Sequence, residues 1–324
     1  MNNKKIEYGF VILHYLALDI TIQCVDDLLR QFSKQNILIV IVDNASPNKS
    51  GTALIDKYKD NTLVKVLSAP KNLGFARGNN IGYEYLKKNY DTEFMIVMNN
   101  DVFIKTDTFL EKISQIYNEY HFAVLGPDIY APNLNRHQNP LERVVPTVND
   151  CEYWISVYKK LIRKDNFNYY KLKILHYLFY WWAKPIIKAL YPSILEKKEE
   201  KHTNLPNSNA EVKTDQYERN ILENIVLQGA CLIFSKDFIQ KRDYAFYPET
   251  FLYLEEHILA LQCFREGYKT LYHPDINVTH LCAVSTSQAY KQQRQKDQLY
   301  WNENIKSLKV YIKLYKEYER KCNG

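Results

Sequence analysis

Four acidic residues and one histidine stand where the sequence predicts a strand to end or a helix to begin. Asp43 closes the apolar run ILIVIVD, and Asp101 closes FMIVMNND, in which two amides precede the carboxylate. Glu255 and Glu256 open a mostly apolar helical stretch, and His280 follows a short apolar run. Carboxylates and imidazoles can bind a divalent cation or move a proton. These residue types therefore suit a site that combines metal binding with acid–base chemistry.

The two strand-end aspartates have a structural and a functional interpretation. A single aspartate at a strand end is usually a turn or cap residue. Both strands are predicted to be parallel, so Asp43 and Asp101 would share the sheet edge where open α/β sheets bind ligands. Between them lies NLGFARGNNIG (72–82), whose glycine spacing is not that of a dinucleotide fingerprint. Arg77 and the N–H groups at a helix start favour phosphate there. Together these features favour a ligand site.

The acidic pair and the histidine also have two interpretations each. Acidic residues in a first helical turn complement the helix dipole, which is the structural explanation for Glu255 and Glu256. Adjacent helical residues point about 100° apart, so one of them can face a cleft while the other packs. A single histidine near a strand end is more often structural. Paired in space with Asp101, however, His280 would be a plausible metal ligand.

The elements that must position these residues alternate between strand and helix. Fully apolar strands separated by amphipathic helices predict a parallel sheet with helices on its faces. The sequence predicts strands at 8–15, 37–43, 63–68, 94–101, 225–235 and 277–281, and helices at 20–33, 51–59, 78–89, around 109–117, at 255–266 and at 286–320.

Between about 131 and 220 this alternation is not visible. Aromatic and lysine residues crowd 152–192, and 193–216 is polar and charged, which predicts an inserted helical subdomain. The stretch 174–192 is either a core helix or an interfacial helix that lies on an anionic membrane surface, since aromatic rings and lysines flank its uncharged centre. No run reaches the roughly 18 uncharged apolar residues that a membrane span needs.

Composition narrows the function classes. The chain has 324 residues and a net charge of +6, which suits an anionic ligand or membrane surface and does not single out nucleic acid. Hydrophobic residues make up 46% of the chain, enough for a packed core. None of the six cysteines forms a Cys-x-x-Cys pair, so we expect no zinc framework and a reducing, cytoplasmic location. Glu7 interrupts the apolar start, which favours a first strand over a signal peptide.

Six motifs, taken in order, resemble the family-2 glycosyltransferases, the inverting enzymes with the GT-A fold. They are IVDNAS, NLGFARGNNIG, VMNND, QGACLIFS, FLYLEE and VTHLCAVST, and they cover about 1–130 and 225–286. Each motif is weak alone, whereas six in order are a strong signal. The resemblance is greatest to bacterial rhamnosyl- or galactofuranosyltransferase-like enzymes of surface polysaccharide assembly.

The resemblance implies a GT-A fold, with a mixed, mainly parallel α/β sheet flanked by helices. Residues 1–130 would form the nucleotide-sugar-binding half and 221–285 the acceptor and catalytic half. A helical aromatic and basic insertion would occupy 131–220, and a C-terminal helical extension would occupy 286–324.

The resemblance also implies roles for individual residues. The donor would be a nucleotide diphosphate sugar, and the acceptor a saccharide that could be linked to a polyprenyl lipid. Asp101 and His280 would bind Mg²⁺ or Mn²⁺, and Glu255 or Glu256, with Glu256 preferred, would be the catalytic base. The residues implied in donor binding are Asp43, Asn44, Asn72, Gly74, Arg77, Asn80, Asn99, Asn100 and Gly229.

The chain departs from the family pattern at several positions. Asn99 stands where the family has the first acid of Asp-x-Asp, and a neutral amide is a weaker ligand for a hard cation. His14 stands where relatives often have Asn, and Ile258 where many carry a further Asp. Asn99 keeps open the alternative of a catalytically silent nucleotide-sugar-binding module. A nucleotidyltransferase, the other alternative, would normally show a glycine-rich loop near the first strand, and VILHYLALDI has none.

Overall fold

The computed structural model describes residues 4–178, 217–282 and 292–322. The chain falls into two compact units. One combines the residues up to Ile155 with those from Asp215 onward, and the other spans Ser156–Thr214. The predicted boundaries at 130, 220 and 285 stay a prediction.

The described part of the chain contains ten strands, eight α-helices and one 3₁₀ helix, Pro132–Leu134. The strands are β1 Lys4–His14, β2 Ile37–Asp43, β3 Val64–Ser68, β4 Tyr90–Asn99, β5 Val102–Ile104, β6 Val124–Ala131, β7 Arg136–His137, β8 Leu222–Glu223, β9 Cys231–Ser235 and β10 Thr270–His280. The helices are α1 Leu18–Phe32, α2 Ser50–Tyr58, α3 Gly74–Asn89, α4 Phe109–Tyr120, α5 Val148–Leu178, α6 Lys236–Lys241, α7 Glu255–Glu266 and α8 Gln293–Cys322.

The strands form one mixed sheet in the order β3-β2-β1-β4-β9-β6-β10-β5, with β7 paired to β6 and β8 to β10. Strands β1 to β4 run parallel to one another. Strand β9 runs antiparallel to β4 and β6, and β10 runs parallel to β6 and antiparallel to β5. Successive strands extend the sheet in one direction from β1 to β3, and β4 then pairs on the other side of β1. This reversal creates a switch point at the carboxyl ends of β1 and β4, where such sheets bind ligands.

Helices cover both faces of the sheet because each buries an apolar stripe. On α1, Val25, Leu28 and Phe32 are fully buried at helical spacing against one face, which α4 also covers. On the other face, Tyr83 of α3 and Leu259 of α7 belong to a second buried cluster. The predicted α/β architecture, a mainly parallel mixed sheet flanked by helices, is therefore confirmed.

Most predicted elements are present, and two bounds agree to the residue. Strand β2 spans 37–43, and α7 spans 255–266 and ends at Gly267, whose φ of 73° is the left-handed geometry of a helix cap. Helix α3 begins at Gly74 instead of 78, and the strand predicted at 225–235 begins only at Cys231.

Strand β6 was not predicted, because Gly126 and Pro127 interrupt its apolar pattern. Proline lacks an N–H and is tolerated only where the ladder does not need one. Strand β9 pairs with β6 only at Val124 and Leu125, so Pro127 stands where the pairing on that side has ended.

The segment predicted as a helical insertion begins as part of the sheet. Strand β7 pairs with β6, and Glu142 forms a bridge to Val226. The helical part, α5, starts only at Val148. The two-residue strand is too short to show any alternation in sequence. Of the stretch 174–192, residues from 179 onward lie outside the described part. No helix in the described ranges is long and apolar enough to cross a membrane.

Candidate active site

The carboxyl ends of three neighbouring strands bring the predicted donor and metal residues to one edge of the sheet. Strand β1 pairs with β2 in a register that places His14 beside Asp43, and with β4 in a register that places Leu13 beside Asn99. Asp101 follows in the turn between β4 and β5. The shared edge that parallel strands predict for Asp43 and Asp101 is thus present.

Asp101 and His280 are adjacent in space. Strands β5 and β10 pair antiparallel with Val102 opposite His280, and the N–H of Leu281 donates to the carbonyl of Asp101 at 3.0 Å. This pairing brings Nε2 of His280 to 3.3 Å from Oδ1 of Asp101, with both side chains buried. The structure therefore supplies the spatial pairing that the sequence could not show.

Gln138 fixes the orientation of the His280 ring. Its Oε1 lies 2.7 Å from Nδ1 of His280, and its Nε2 donates to Sγ of Cys282 at 3.5 Å. An amide oxygen only accepts, so Nδ1 donates to Gln138 and Nε2 is the ring nitrogen that faces Asp101. Sequence reasoning missed Gln138, because a single glutamine beside a two-residue strand carries no signal.

This donor set fits a divalent cation. A carboxylate oxygen and an imidazole lone pair that face each other repel unless a proton or a cation lies between them, and a histidine held by a second acceptor is the usual arrangement at metal sites. Within the ranges that the structure describes, no three His, Cys, Asp or Glu side chains converge. The protein would therefore supply two ligands, and water and a bound ligand the others.

The two amides before Asp101 differ in their surroundings. Asn99 is partly exposed, and its side chain has no hydrogen-bond partner among the described residues, so it is available to a ligand. Asn100 is buried and donates from Nδ2 to Oγ1 of Thr21 at 2.8 Å. We therefore expect Asn100 to hold the turn in place, while Asn99 faces the cleft.

His14, the residue that departs from the family pattern, is buried beneath this edge. Its ring nitrogens lie 2.7 Å from Oγ1 of Thr21 and 2.7 Å from Oγ of Ser50. Burial lowers the pKa of His14 to about 4, so the ring is neutral at ordinary pH. It links β1 to α1 and α2, and it positions the edge without reaching a ligand.

The two glutamates at the start of α7 have different environments. Glu256 is partly exposed, and its Oε1 accepts the N–H of Gly229 at 3.2 Å. A Cβ at Gly229 would lie 2.5 Å from that oxygen, so only glycine allows this approach. Glu255 is only 3% exposed, and burial, with the charge of Glu256, raises the pKa of Glu255 to about 8. At neutral pH Glu255 therefore holds a proton, whereas Glu256 remains partly exposed to solvent.

We expect Glu255→Gln to stabilise the protein increasingly as the pH rises. A carboxyl whose pKa is raised in the folded state costs stability from its ordinary pKa of 4.5 up to about 8, because the unfolded chain releases the proton first. Each unit of pKa shift is worth about 1.4 kcal/mol, so the gain should reach about 4–5 kcal/mol at pH 8.5 and nearly vanish near pH 4.5. Urea unfolding between pH 5 and 9 measures it. Exposed Glu119, changed to Gln, is the control, and a gain independent of pH would contradict the prediction.

The backbone before α7 is strained. Tyr253 and Leu254 are consecutive non-glycine residues with φ of 71° and 65°, a conformation that costs about 1–3 kcal/mol each and is common at functional sites. Helix α8 holds the strained turn in place. Oγ of Ser307 donates to the Leu252 carbonyl at 2.9 Å, and the ring of Tyr300 packs edge-on against Tyr253 at 4.9 Å. This turn fixes where α7 starts, and hence where Glu256 lies.

Gly74 allows the loop 72–82 to form a hydrogen bond with the segment that leads to this turn. Its φ is 77°, and the next residue, Phe75, donates its N–H to the carbonyl of Phe251 at 2.8 Å. A Cβ at Gly74 would lie 2.1 Å from that carbonyl oxygen. Gly74 is therefore required by protein packing, whatever it also does for a ligand.

Two further residues of α3 hold the same segment. Asn80 accepts the N–H groups of Ala245 and Phe246 at 3.1 and 3.0 Å and donates to the carbonyl of Phe246 at 2.7 Å. Arg77 donates from Nε to the carbonyl of Pro248 at 2.6 Å, and its side chain remains exposed. Both polar atoms of the Asn80 side chain are thus bonded within the protein, while the outer nitrogens of Arg77 can still bind phosphate.

The amide of Asn44 is also committed to the protein. It accepts the N–H of Leu73 at 2.8 Å and donates to Oδ1 of Asn72 and to the carbonyl of Gly74 at 3.1 Å each. Asp43 is 7% exposed and accepts the N–H of Ser46 at 3.1 Å. We infer that Asn44 and Asn80 shape the donor side, leaving Asp43, Asn72, Arg77 and Asn99 as the residues that can contact a nucleotide.

Comparison with protein families shows the family to which this chain belongs. The model of glycosyl transferase family 2 matches residues 10–183, which is more than half of the chain. The chain belongs to glycosyl transferase family 2. The prediction of a family 2 glycosyltransferase is therefore confirmed. No protein with a curated function matches the sequence.

Solved structures of low sequence identity share the fold of this family 2 chain. GalNAc-T7, solved with UDP, GalNAc and Mn²⁺, is 12% identical with a TM-score of 0.52, over 85% of this chain and 44% of its own. The mannosyltransferase PcManGT of Pyrobaculum calidifontis, solved with GDP-Man and Mn²⁺, is 9% identical with a TM-score of 0.50, over 96% of this chain and 72% of its own. The chain thus spans less than half the length of GalNAc-T7, and the likeness shows the fold alone.

Proposed function

We propose that the protein transfers a sugar from a nucleotide diphosphate sugar to a hydroxyl of a saccharide acceptor, with inversion at the anomeric carbon. One observation gives this proposal its main support. The N–H of Gly229 binds Glu256, and the carbonyl of the next residue, Ala230, accepts the N–H of Asn99 at 2.9 Å. A partly exposed carboxylate therefore lies near the loop that carries Asp101, the residue that His280 of β10 faces.

The donor side would be held by residues at the sheet edge. Asp43, at the end of β2, would bind the base or ribose of the nucleotide. Asn72 and Arg77 would lie along the diphosphate, with Arg77 supplying a positive charge. GalNAc-T7, solved with UDP and Mn²⁺, and PcManGT, solved with GDP-Man and Mn²⁺, share this fold and support a nucleotide and a divalent metal as ligands.

Asp101 and His280 would hold the divalent cation, with Asn99 as a neutral oxygen nearby. When bound, Mg²⁺ or Mn²⁺ neutralises charge on the diphosphate leaving group. Gln138 keeps the His280 lone pair directed at this position, and burial of both ligands strengthens their pull on a cation.

Glu256 would act as the base. As the acceptor hydroxyl attacks the anomeric carbon, the new C–O bond forms on one face, the bond to the diphosphate breaks on the other, and the proton passes to Glu256. A single displacement of this kind inverts the configuration. General-base help of this kind is typically worth about 10²–10⁴ in rate. Glu255, whose pKa is raised to about 8 by burial, is protonated at neutral pH and cannot take that proton.

A donor panel tests the proposal. Thermal shift with UDP-, GDP- and dTDP-sugars in the presence of Mn²⁺ identifies the donor without an acceptor, because a bound ligand stabilises the fold. Incubation with that donor should then release free nucleoside diphosphate. Binding without release would identify a silent binding module, and formation of pyrophosphate would identify a nucleotidyltransferase. Activated rhamnose and galactofuranose are the first donors to try, since surface polysaccharide assembly in bacteria is the pathway that we propose.

The metal proposal predicts a specific effect at Gln138. We expect Gln138→Leu to weaken Mn²⁺ binding about 10–100-fold, the usual cost of losing a residue that orients a metal ligand. Gln138→Glu keeps an acceptor for Nδ1 of His280 and should retain most of the affinity. Calorimetric titration of Mn²⁺ into protein saturated with UDP measures both variants. Equal affinity in wild type and Gln138→Leu would argue against His280 as a ligand.

We propose further that helix α5 docks the protein on the inner, cytoplasmic face of the plasma membrane, where a polyprenyl-linked acceptor would reside. Phe167, Leu172 and Ile174 are 68%, 66% and 59% exposed on this helix. Lysine and arginine residues at 159–164, with Lys171 and Lys173, complement anionic lipid, at about 1 kcal/mol each.

Flotation with anionic vesicles tests this docking. The intact protein should float at low salt, and the triple variant Phe167→Ser, Leu172→Ser, Ile174→Ser should remain at the bottom. The exposed apolar residues Ile55 and Val144, changed to Ser, provide a control that should float like wild type. An intact protein that stays at the bottom would rule out the membrane role.

A further inference from the structure

A polar pocket of about 360 Å³ adjoins the candidate active site on the acceptor side. Its volume is at the low end of the ~300–1,000 Å³ typical of ligand sites. The strap 136–143 forms most of its wall, with Glu218 and Gln228 completing it. No residue of the donor half lines it.

The lining of the pocket is connected to both the proposed metal ligand and the proposed base. At one end, Gln138 lines it and is bonded to the proposed metal ligand His280. At the other end, Gln228 lines it and is followed by Gly229, whose N–H is bonded to Glu256. A molecule in the pocket would therefore lie between Gln138, which is bonded to the proposed metal ligand, and Gln228, which precedes the residue bonded to the proposed base.

Two of the three basic residues that line the pocket have their charge offset. Arg143 forms an ion pair with Glu218. His137 is bonded through Nδ1 to Asp128 at 2.7 Å. Neither leaves a free positive charge for a ligand.

Arg136 is the exception. Its guanidinium has no hydrogen bond or ion pair with any described residue, and its Nε is buried without a partner. A buried donor without a partner is costly, and the guanidinium fork matches the oxygens of a phosphate or carboxylate. Arg136 lines the pocket together with Gln138, the residue bonded to His280.

We propose that this pocket binds a negatively charged group of the acceptor, a phosphate or a carboxylate, and that Arg136 is the residue that recognises it. The inference rests on the proposed glycosyl transfer and narrows the acceptor to an anionic saccharide. The same oxyanion chemistry could come from the diphosphate of the donor. If the pocket binds the diphosphate of the donor, a saturating nucleotide should abolish the binding of charged sugars. If it binds an anionic group of the acceptor, that binding should persist.

The experiment measures sugar binding by calorimetry to protein saturated with UDP and Mn²⁺. Glucose 6-phosphate and glucuronate are the charged probes, and glucose is the neutral comparison. Wild type should bind at least one charged probe tenfold or more tightly than glucose. Arg136→Gln should abolish that preference, and Arg136→Lys, which keeps the charge, should retain part of it and guards against a folding defect.

The matched control is the double variant Arg143→Gln, Glu218→Gln, which removes an ion pair from the same pocket without changing its net charge. It should keep the preference within twofold. Equal binding of charged and neutral probes to wild type, or a preference that survives in Arg136→Gln, would overturn the proposal.

The UDP affinity of Arg136→Gln, measured without sugar, separates the two anion sources. A tenfold loss of UDP affinity with intact preference for charged sugars would assign Arg136 to the donor instead. If no donor yields free nucleoside diphosphate, the proposed transfer is contradicted. The comparison of charged and neutral sugar binding can still be interpreted in that case, because it does not depend on turnover.

Discussion

Asp101→Asn is expected to lower sugar transfer about 10³-fold or more while leaving the fold intact. A metal ion contributes several kcal/mol of transition-state charge stabilisation, and each ~1.4 kcal/mol is a factor of ten in rate. Asparagine keeps the shape of the side chain but removes the charge that faces Nε2 of His280. The backbone bond from Leu281 to residue 101 does not depend on the side chain. Loss of the metal should therefore greatly exceed loss of stability.

Three measurements separate these effects. Release of nucleoside diphosphate measures activity, calorimetry measures UDP binding with and without Mn²⁺, and thermal unfolding reports on the fold. We expect Mn²⁺ to strengthen UDP binding in wild type but not in Asp101→Asn. His280→Ala should lose less, because the negatively charged ligand Asp101 remains. Asp107→Asn, a change of an exposed aspartate in the turn after β5, is the control. Near-normal turnover in Asp101→Asn would contradict the proposal that Asp101 binds the metal.

The sheet edge could be predicted from sequence because it follows from local patterns. Fully apolar strands that end in polar residues indicate parallel strands, and parallel strands bring Asp43 and Asp101 to one edge. Helix α7 was equally clear, since its acidic start and Gly267 are local signals. Strand β6 was missed because Pro127 breaks its pattern, and only the pairing of its neighbours explains why proline is tolerated there.

The contacts that assemble the site could not be predicted, because they join segments distant in sequence. Asp101 meets His280 only through the antiparallel pairing of β5 with β10, and Gln138 reaches His280 from a third segment. The same holds for the glycine loop. The family resemblance implied donor binding by Gly74 and Asn80, yet in the structure both residues contact the segment 245–251 that precedes the proposed base. The motif alone therefore does not predict which residues its side chains contact.

Glu256→Gln is expected to lower kcat about 10²–10⁴-fold, the usual contribution of a general base. Glutamine has the same shape, and its carbonyl oxygen can still accept the N–H of Gly229, so the start of α7 should not move. A base acts on the proton of the acceptor in the transition state and not on the bound nucleotide. The affinity for the donor should therefore stay within about twofold of wild type, and the whole loss should appear in turnover.

Glu255→Gln is the matched control, because it makes the same chemical change one residue away. Glu255 is already neutral at pH 7, with a pKa raised to about 8, so glutamine replaces one uncharged group by another. Turnover at pH 7 should stay within a few-fold of wild type, while stability at pH 8.5 rises. Single-turnover measurements on both variants, with donor affinity measured in parallel, distinguish the outcomes. If Glu255→Gln is inactive and Glu256→Gln active, the assignment within the pair is reversed. If both remain active, the proton passes to a group other than this pair, and the convergence of Glu256 with the Asp101 loop is structural.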